Sequence, residues 1–242
     1  MSLIRKAFKR LHYPVDTIAQ SVHWYLTYSL SLRNLEEMMP ERGVVVDHST
    51  LYRCIIRLTP LLDKAFRRHK RTVGRRWRMD ETYIKIKGQW KYLYRAVDTS
   101  GQTIDFLLTA KRDATAALRF FRKAIRHHGK PEVVTIDKSG ANRAALTTLN
   151  TDKPDEEIIA IRQNKYLNNL VAQDHRNIKR RTRLMLGFKP FRTQTLQASI
   201  ELIHMIRKGQ LAHPTGSALS PVEQFYLLVA YANATESSLR KQ

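Results

Sequence analysis

A change of hydrophobic period near residue 76 constrains the fold of this chain more than any other feature. Between 14 and 62 the apolar residues recur at helical spacing only. In "PVDTIAQSVHWYLTY", Ile18, Val22, Tyr25 and Leu26 share one face, and Pro14 suits a first turn. "SLRNLEEMM" offers Ser31 as an N-cap, with Leu32, Leu35, Met38 and Met39 on one side. "PERGVVV" places Gly43 in a turn. "DHSTLYRCIIRLTPLL" then opens with Asp47 or Ser49 as cap and turns Leu51, Ile55 and Leu58 inward. Beyond 76 the period drops to two. "RWRMDETYIKIKG", "WKYLYRAVD" and "QTIDFLLTA" read as three strands in series, joined by the turns "KGQ" and "TSG". "DATAALRFFRKAIRHHG" is an amphipathic helix, capped by Asp113, with Leu118, Phe121 and Ile125 on its apolar face and Gly129 at its end. "PEVVTID" is a short continuous apolar strand suited to a sheet centre. "SGANRAALTTL" returns to helix, "EIIAIR" to strand and "NNLVAQDHRNIKRRTR" to helix. The order βββ-α-β-α-β-α predicts a mixed-sheet α+β or α/β core. The expected division is a helical region over 1–63, a basic linker over 64–75, the core over 76–190 and C-terminal helices over 191–242.

Charge narrows the partner. Lys and Arg number 43 against 21 Asp and Glu, a formal net charge of +22, which is most readily tolerated when the partner is a polyanion such as a phosphodiester backbone. Eight cations lie between Asp63 and Asp80 with no acid, Arg75 and Arg76 among them, and seven more lie between Arg176 and Arg192. Three short helices with a glycine turn before the third are compatible with helix-turn-helix DNA binding. His48, Thr50, Tyr52, Arg53 and Arg57 would then lie at or near the exposed face of the third helix; a plain three-helix bundle fits the same pattern. The single cysteine, Cys54, excludes an internal disulfide and a Cys-based zinc site. No apolar run reaches the roughly 18 residues of a membrane span, so the expectation is a soluble, cytoplasmic protein.

Two carboxylates carry the chemistry. Asp80 sits in the first strand of the core and Asp137 ends the central apolar strand. Each alone reads as a surface aspartate or a helix cap. Together, in this element order, they match a two-metal layout, in which acids from adjacent central strands hold Mg²⁺ at a phosphodiester.

The segments "WRMDETYIKIKGQWKYLYRAVD", "TIDKSGAN", "KYLNNLVAQDHRNIKRR" and "LGFK" resemble the catalytic core of bacterial insertion-sequence transposases with an Asp-Asp-Glu triad, above all the compact replicative family that forms cointegrates. The N-terminal segment ending in "DHSTLYR" resembles that family's helix-turn-helix region, although Cys54 stands where tryptophan is more usual. The resemblance implies a ribonuclease-H-like core, Mg²⁺ (or Mn²⁺) as cofactor, and double-stranded DNA as partner, namely terminal inverted repeats and target DNA. It also implies a homodimer or larger assembly on DNA, in the bacterial cytoplasm beside the nucleoid. Asp80 and Asp137 match the first two acids as catalytic and metal-ligating residues. The third is a glutamate 34 intervening residues later, just before "QDH", and that place holds Ala172. Asp174 lies about 200° around the helix from it, and Glu81 projects to the opposite face of the strand from Asp80, so neither is a good replacement. His175, Arg176, Lys179 and Arg183 fall on the Ala172 side, and with Arg180 they are expected to hold phosphates; a solvated helix face is the plain alternative. Alanine removes the acid while keeping the helix, as an engineered substitution or a decayed copy would. The expected function is a transposase that cuts and joins DNA strands, inactive in this form. The alternative is a DNA-binding repressor or architectural protein with a dead nuclease-like core.

Overall fold

The computed structural model describes residues 13–28, 30–86, 88–151, 153–164, 169–184, 193–213 and 219–239, with side chains at all of these except 169–170, 180–184, 193–194 and 235–239. In chain order the elements are α1 (Val15–Tyr28), α2 (Leu32–Met38), a 3₁₀ turn (Met39–Arg42), α3 (His48–His69), β1 (Arg76–Ile86), β2 (Gln89–Asp98), β3 (Thr103–Thr109), α4 (Ala114–His128), β4 (Val133–Ile136), α5 (Gly140–Asn150), a 3₁₀ turn (Asp155–Glu157), β5 (Ala160–Gln163), α6 (Asn169–Leu184), α7 (Thr193–Arg207) and α8 (Pro221–Leu239). They form two units, one of Met1–Arg71 with Lys189–Gln242 and one of Thr72–Phe188.

In the helical unit the local signals act as read. Ser31 caps α2 through a reciprocal box with Asn34. Gly43 adopts φ 70°, the left-handed turn that brings the chain into α3. Asp47 is the α3 cap, accepting from the N–H groups of Ser49 and Thr50. The apolar face of α3 buries Leu51, Ile55, Leu58, Leu62 and Phe66. It packs on α1 and α2, and also on α7 and α8. Thr59 and Ser199 share a hydrogen bond of 2.8 Å across that contact. The expected basic linker therefore begins inside a helix. Ala65 and Phe66 are buried and Arg67 pairs with Asp63 one turn back at 2.9 Å, so α3 continues to His69. Thr50 differs too: it is buried, with its hydroxyl on Asp47, rather than exposed.

The second unit is a five-stranded sheet in the order β3-β2-β1-β4-β5. The first three strands are antiparallel, and β1, β4 and β5 run parallel. This topology, with its crossover helices, is the ribonuclease-H-like arrangement. Trp77, Met79, Tyr94, Ala96, Val134 and Ile136 from the sheet meet Ala117, Phe120, Phe121 and Leu146 from α4 and α5 in a closed core. Fifteen side chains of this sort supply most of the drive to fold, at about 1.5–3 kcal/mol for each large apolar one. Cross-strand register then assigns faces. Tyr94 stacks on Phe120 of α4, so Glu81, its partner on β1, belongs to the α4 side. Arg95, partner of Asp80, belongs to the other, where α6 packs on β1 and β2. Among the described residues no helix is long and apolar enough to cross a membrane.

Candidate active site

Asp80 and Asp137 are brought level by the parallel pairing of β1 and β4. The offset that pairs Arg76 with Val133, Trp77 with Val134 and Arg78 with Thr135 also relates Asp80 to Asp137, two residues beyond the last pair. Burial, then the charges of Glu81 and Asp137, push the Asp80 carboxyl up to about 6. Acidic side chains are thus gathered where the end of β4 meets the middle of β1.

Helix α6 covers the Asp80 side. Its Asp174 takes the guanidinium of Arg95 at 2.8 Å, and Arg95 also donates to the Thr103 hydroxyl at 3.2 Å. Arg95 is wholly buried, so this contact fixes the helix on the sheet. The next residue, His175, places Nε2 3.8 Å from Asp80 Oδ2. Burial first, and then the charges of Arg95 and Lys179, hold its imidazole down to about 3. The ring is therefore neutral near pH 7, and the contact is not an ion pair. Ala172 lies one turn earlier on this helix, half-buried, with a methyl group where the resemblance places a carboxylate.

Asp137 is held from the other side. Its Oδ1 accepts from the Ser139 N–H at 2.9 Å and from the Asn142 amide at 3.4 Å. The same amide donates to Glu81 Oε2 at 2.8 Å. Arg112, from the loop after β3, pairs with Glu81 and lies 3.7 Å from Asp137 Oδ2. Strand alternation does send Glu81 away from Asp80, as the sequence indicates. It does not isolate it: Asn142 and Arg112 join it to Asp137, and neither residue was singled out by the sequence. Asn142 stands in the quoted "TIDKSGAN", five places after Asp137, close to the spacing at which a helix starting there can reach back. Nothing local marks Arg112, which arrives from 31 residues beyond Glu81.

The other expected residues are placed as follows. Arg53 and Arg57 are exposed on α3, Arg53 donating to the Ser49 carbonyl at 3.2 Å. Arg75 is exposed, 3.8 Å from Glu132, and Arg76 is exposed at the start of β1. Arg176 is exposed on α6, and Lys179 lies over the ring of Tyr83 at 4.5 Å. The side chains of Arg180 and Arg183 lie outside the described residues.

No group of three His, Cys, Asp or Glu side chains able to hold a metal ion is assembled among the described residues. Two level carboxylates, Asp80 and Asp137, are nonetheless hard oxygen donors of the kind that suit Mg²⁺, and the resemblance places the third carboxylate at 172, where this chain has alanine. The residues present fit a divalent cation, as an incomplete set.

A family model described as a DDE domain matches residues 74–210. The transposase for insertion sequence-like element IS431mec of Staphylococcus aureus (strain N315) is 41% identical over 180 residues, covering 73% of this chain and 79% of that protein. The transposase for insertion sequence element IS257 in transposon Tn4003 of Staphylococcus aureus matches at the same identity and coverage. Among solved structures, the HTLV-2 integrase catalytic core domain in complex with magnesium (dimeric form) superposes with a TM-score of 0.44 at 18% identity, over 63% of this chain and 97% of that one. The catalytic core domain of BIV integrase gives 0.41 at 14% identity, over 70% and 99%. The family match over more than half of the sequence, with 41% identity to curated transposases, establishes that the chain belongs to the DDE transposases of bacterial insertion sequences.

Proposed function

We propose that this transposase binds the terminal inverted repeats of its element as double-stranded DNA, through a helix-turn-helix in 1–63 and the basic face of α6, and that its parent form cuts and joins DNA strands with Mg²⁺ or Mn²⁺. The observation that carries the reading is the common offset of Asp80 and Asp137, with Ala172 one turn from the histidine that meets Asp80. Asp80 and Asp137 would hold the cation. Bound there, a divalent ion supplies Lewis acidity to the attacking and leaving oxygens of a phosphodiester. Asn142, Arg112 and the Ser139 N–H keep Asp137 in place, while the Arg95–Asp174 pair keeps α6 against the sheet. Neutral His175 adds no charge of its own beside Asp80. Arg53, Arg57, Arg75, Arg76, Arg176, Lys179, Arg180 and Arg183 supply the cations for phosphate contact. The chain acts in the cytoplasm on nucleoid DNA, as a homodimer or larger on paired ends.

With a methyl at 172, strand cleavage is disabled. The test is nicking of labelled terminal-repeat DNA with Mg²⁺ or Mn²⁺. The Ala172→Glu variant should cleave, and adding Asp137→Ala to it should abolish cleavage. Equal cleavage by this chain and its Ala172→Glu variant would overturn the assignment of position 172. Ala172 itself favours a second reading, a DNA-binding repressor or architectural protein, which an Ala172→Glu variant that binds the repeats but never cuts would support.

A further inference from the structure

Two large aromatic side chains are left open to solvent at the far end of the β1–β2 hairpin. Tyr83 is 56% exposed and Trp90 is 52% exposed. Their rings meet edge to face, with centroids 5.0 Å apart at 89°. Each carries a cation: Lys85 Nζ lies 5.5 Å from the Trp90 ring, and Lys179 Nζ lies 4.5 Å from that of Tyr83. Along β1 the neighbours Ile84 and Ile86 are buried while Tyr83 and Lys85 point outward, so the fold has an inward face available and leaves these rings off it. Cross-strand packing accounts for the contact between the rings. It does not account for two rings left more than half open to solvent, each with a lysine over one face.

We propose that Tyr83 and Trp90 are a stacking platform for an unpaired base of the DNA, with Lys85 and Lys179 neutralising the adjoining phosphates. The proposal rests on the DNA-binding reading above. Base–aromatic stacking needs a π-face that is not already covered by neighbouring bases, so such a platform selects frayed or single-stranded nucleotides over intact duplex. Its position suits that role. Tyr83 is three residues beyond Asp80, about 10 Å along the extended strand and by alternation turned to the other face, but Lys179, from the helix that covers Asp80, reaches its ring. The separation is about three steps of stacked DNA at 3.4 Å each. Lys179 belongs to α6, one turn beyond the His175 that meets Asp80. A base captured there would hold open the strand end that Asp80 and Asp137 address.

The experiment uses the full chain with a fluorescently labelled blunt duplex and with the same duplex carrying three unpaired terminal nucleotides, at one salt concentration. The unchanged chain should prefer the frayed duplex about tenfold, within the range of base–aromatic stacking. Tyr83→Leu and Trp90→Leu should lose that preference while binding the blunt duplex as before, and Tyr83→Phe should keep it. Frayed DNA, and not blunt, should quench the emission lost in Trp90→Phe; the measurement is made in a Trp24→Phe background, where buried Trp77 is the remaining signal. Folded Leu variants that keep the preference overturn the proposal, as does equal weakening on both duplexes. Should the Leu variants fail to fold, absence of Trp90 quenching in the Trp24→Phe chain overturns it by itself. If the chain binds neither duplex even at low salt, the DNA-binding reading falls and the platform with it.

Discussion

Cutting the link between Arg95 and Asp174 should cost the catalytic unit much of its stability. Arg95 has no exposed side-chain surface and Asp174 has 8%, and their contact is 2.8 Å. Burial alone lowers the affinity of Arg95 for its proton, and Asp174 opposes that. Replacing Asp174 by alanine leaves a guanidinium inside the protein without its carboxylate, a loss of about 3–5 kcal/mol. A domain of this size is stable by only about 5–15 kcal/mol. With a urea dependence of about 2 kcal/mol per molar, the midpoint should fall by roughly 2 M. The double variant Arg95→Met/Asp174→Leu removes both charges and should return to within about 1 kcal/mol of the parent, since an apolar pair of similar volume often replaces a buried ion pair at little cost. The measurement is urea unfolding in a Trp24→Phe/Trp90→Phe background, so that emission reports Trp77, buried in the same unit. Hydrogen exchange along α6 gives a second reading, because the pair ties that helix to β2. A midpoint for Asp174→Ala within 0.3 M of the parent (about 0.6 kcal/mol at that slope) would refute the reasoning, as would a double variant less stable than the single one.

Asp47 gives a pH prediction. Hydrogen bonds from the Ser49 and Thr50 side chains, and from the backbone of both, hold its carboxyl well below its ordinary value of 3.8. Its contribution is therefore fully present above that ordinary value and is lost as pH falls through the lower folded one. Asp47→Asn should flatten the acid side of a thermal-stability profile between pH 2 and 5; an unchanged slope would show that the cap charge is irrelevant. DNA affinity should fall steeply with salt, and Arg176→Ala with Lys179→Ala should make the slope shallower by about 0.9 for each phosphate contact removed. Filter binding from low to high salt measures it, and identical slopes would take α6 out of the interface.

The parts of this molecule legible in the sequence are those written in short-range chemistry. Ser31, Asp47 and Asp113 announce helix starts because a cap needs only the next three residues. Asp80, within a strand, and Asp137, just after one, stand out through the element order and the resemblance and not through any local signal. The register that makes them level has no local signal, since β1 and β4 are paired across the whole of β2, β3 and α4 rather than by a turn. Arg95 reads as an ordinary outward residue of an alternating strand; its partner is 79 residues away, and only the docking of α6 explains why it is buried. For Glu81 alternation gives the face but not the company, because it says where a side chain points and not what Arg112 and Asn142 bring to meet it. The continuation of α3 to His69 was masked by its arginines, which decorate one side of a helix whose other side still buries Ala65 and Phe66.

The helical unit is assembled from both flanks of the catalytic one, and that order has a consequence in time. During synthesis α3 emerges with the part of its apolar face that α7 and α8 will take still uncovered. The whole of Thr72–Phe188 must be made before those helices exist, which at about 5–20 residues per second is on the order of ten seconds. The middle of the gene product can therefore reach its native state on the ribosome while the first helices still present an oily stripe to chaperones and to other nascent chains. A fragment ending near residue 70 would hold that stripe open indefinitely, so its poor behaviour would report an orphaned surface and say nothing about whether the region reads DNA.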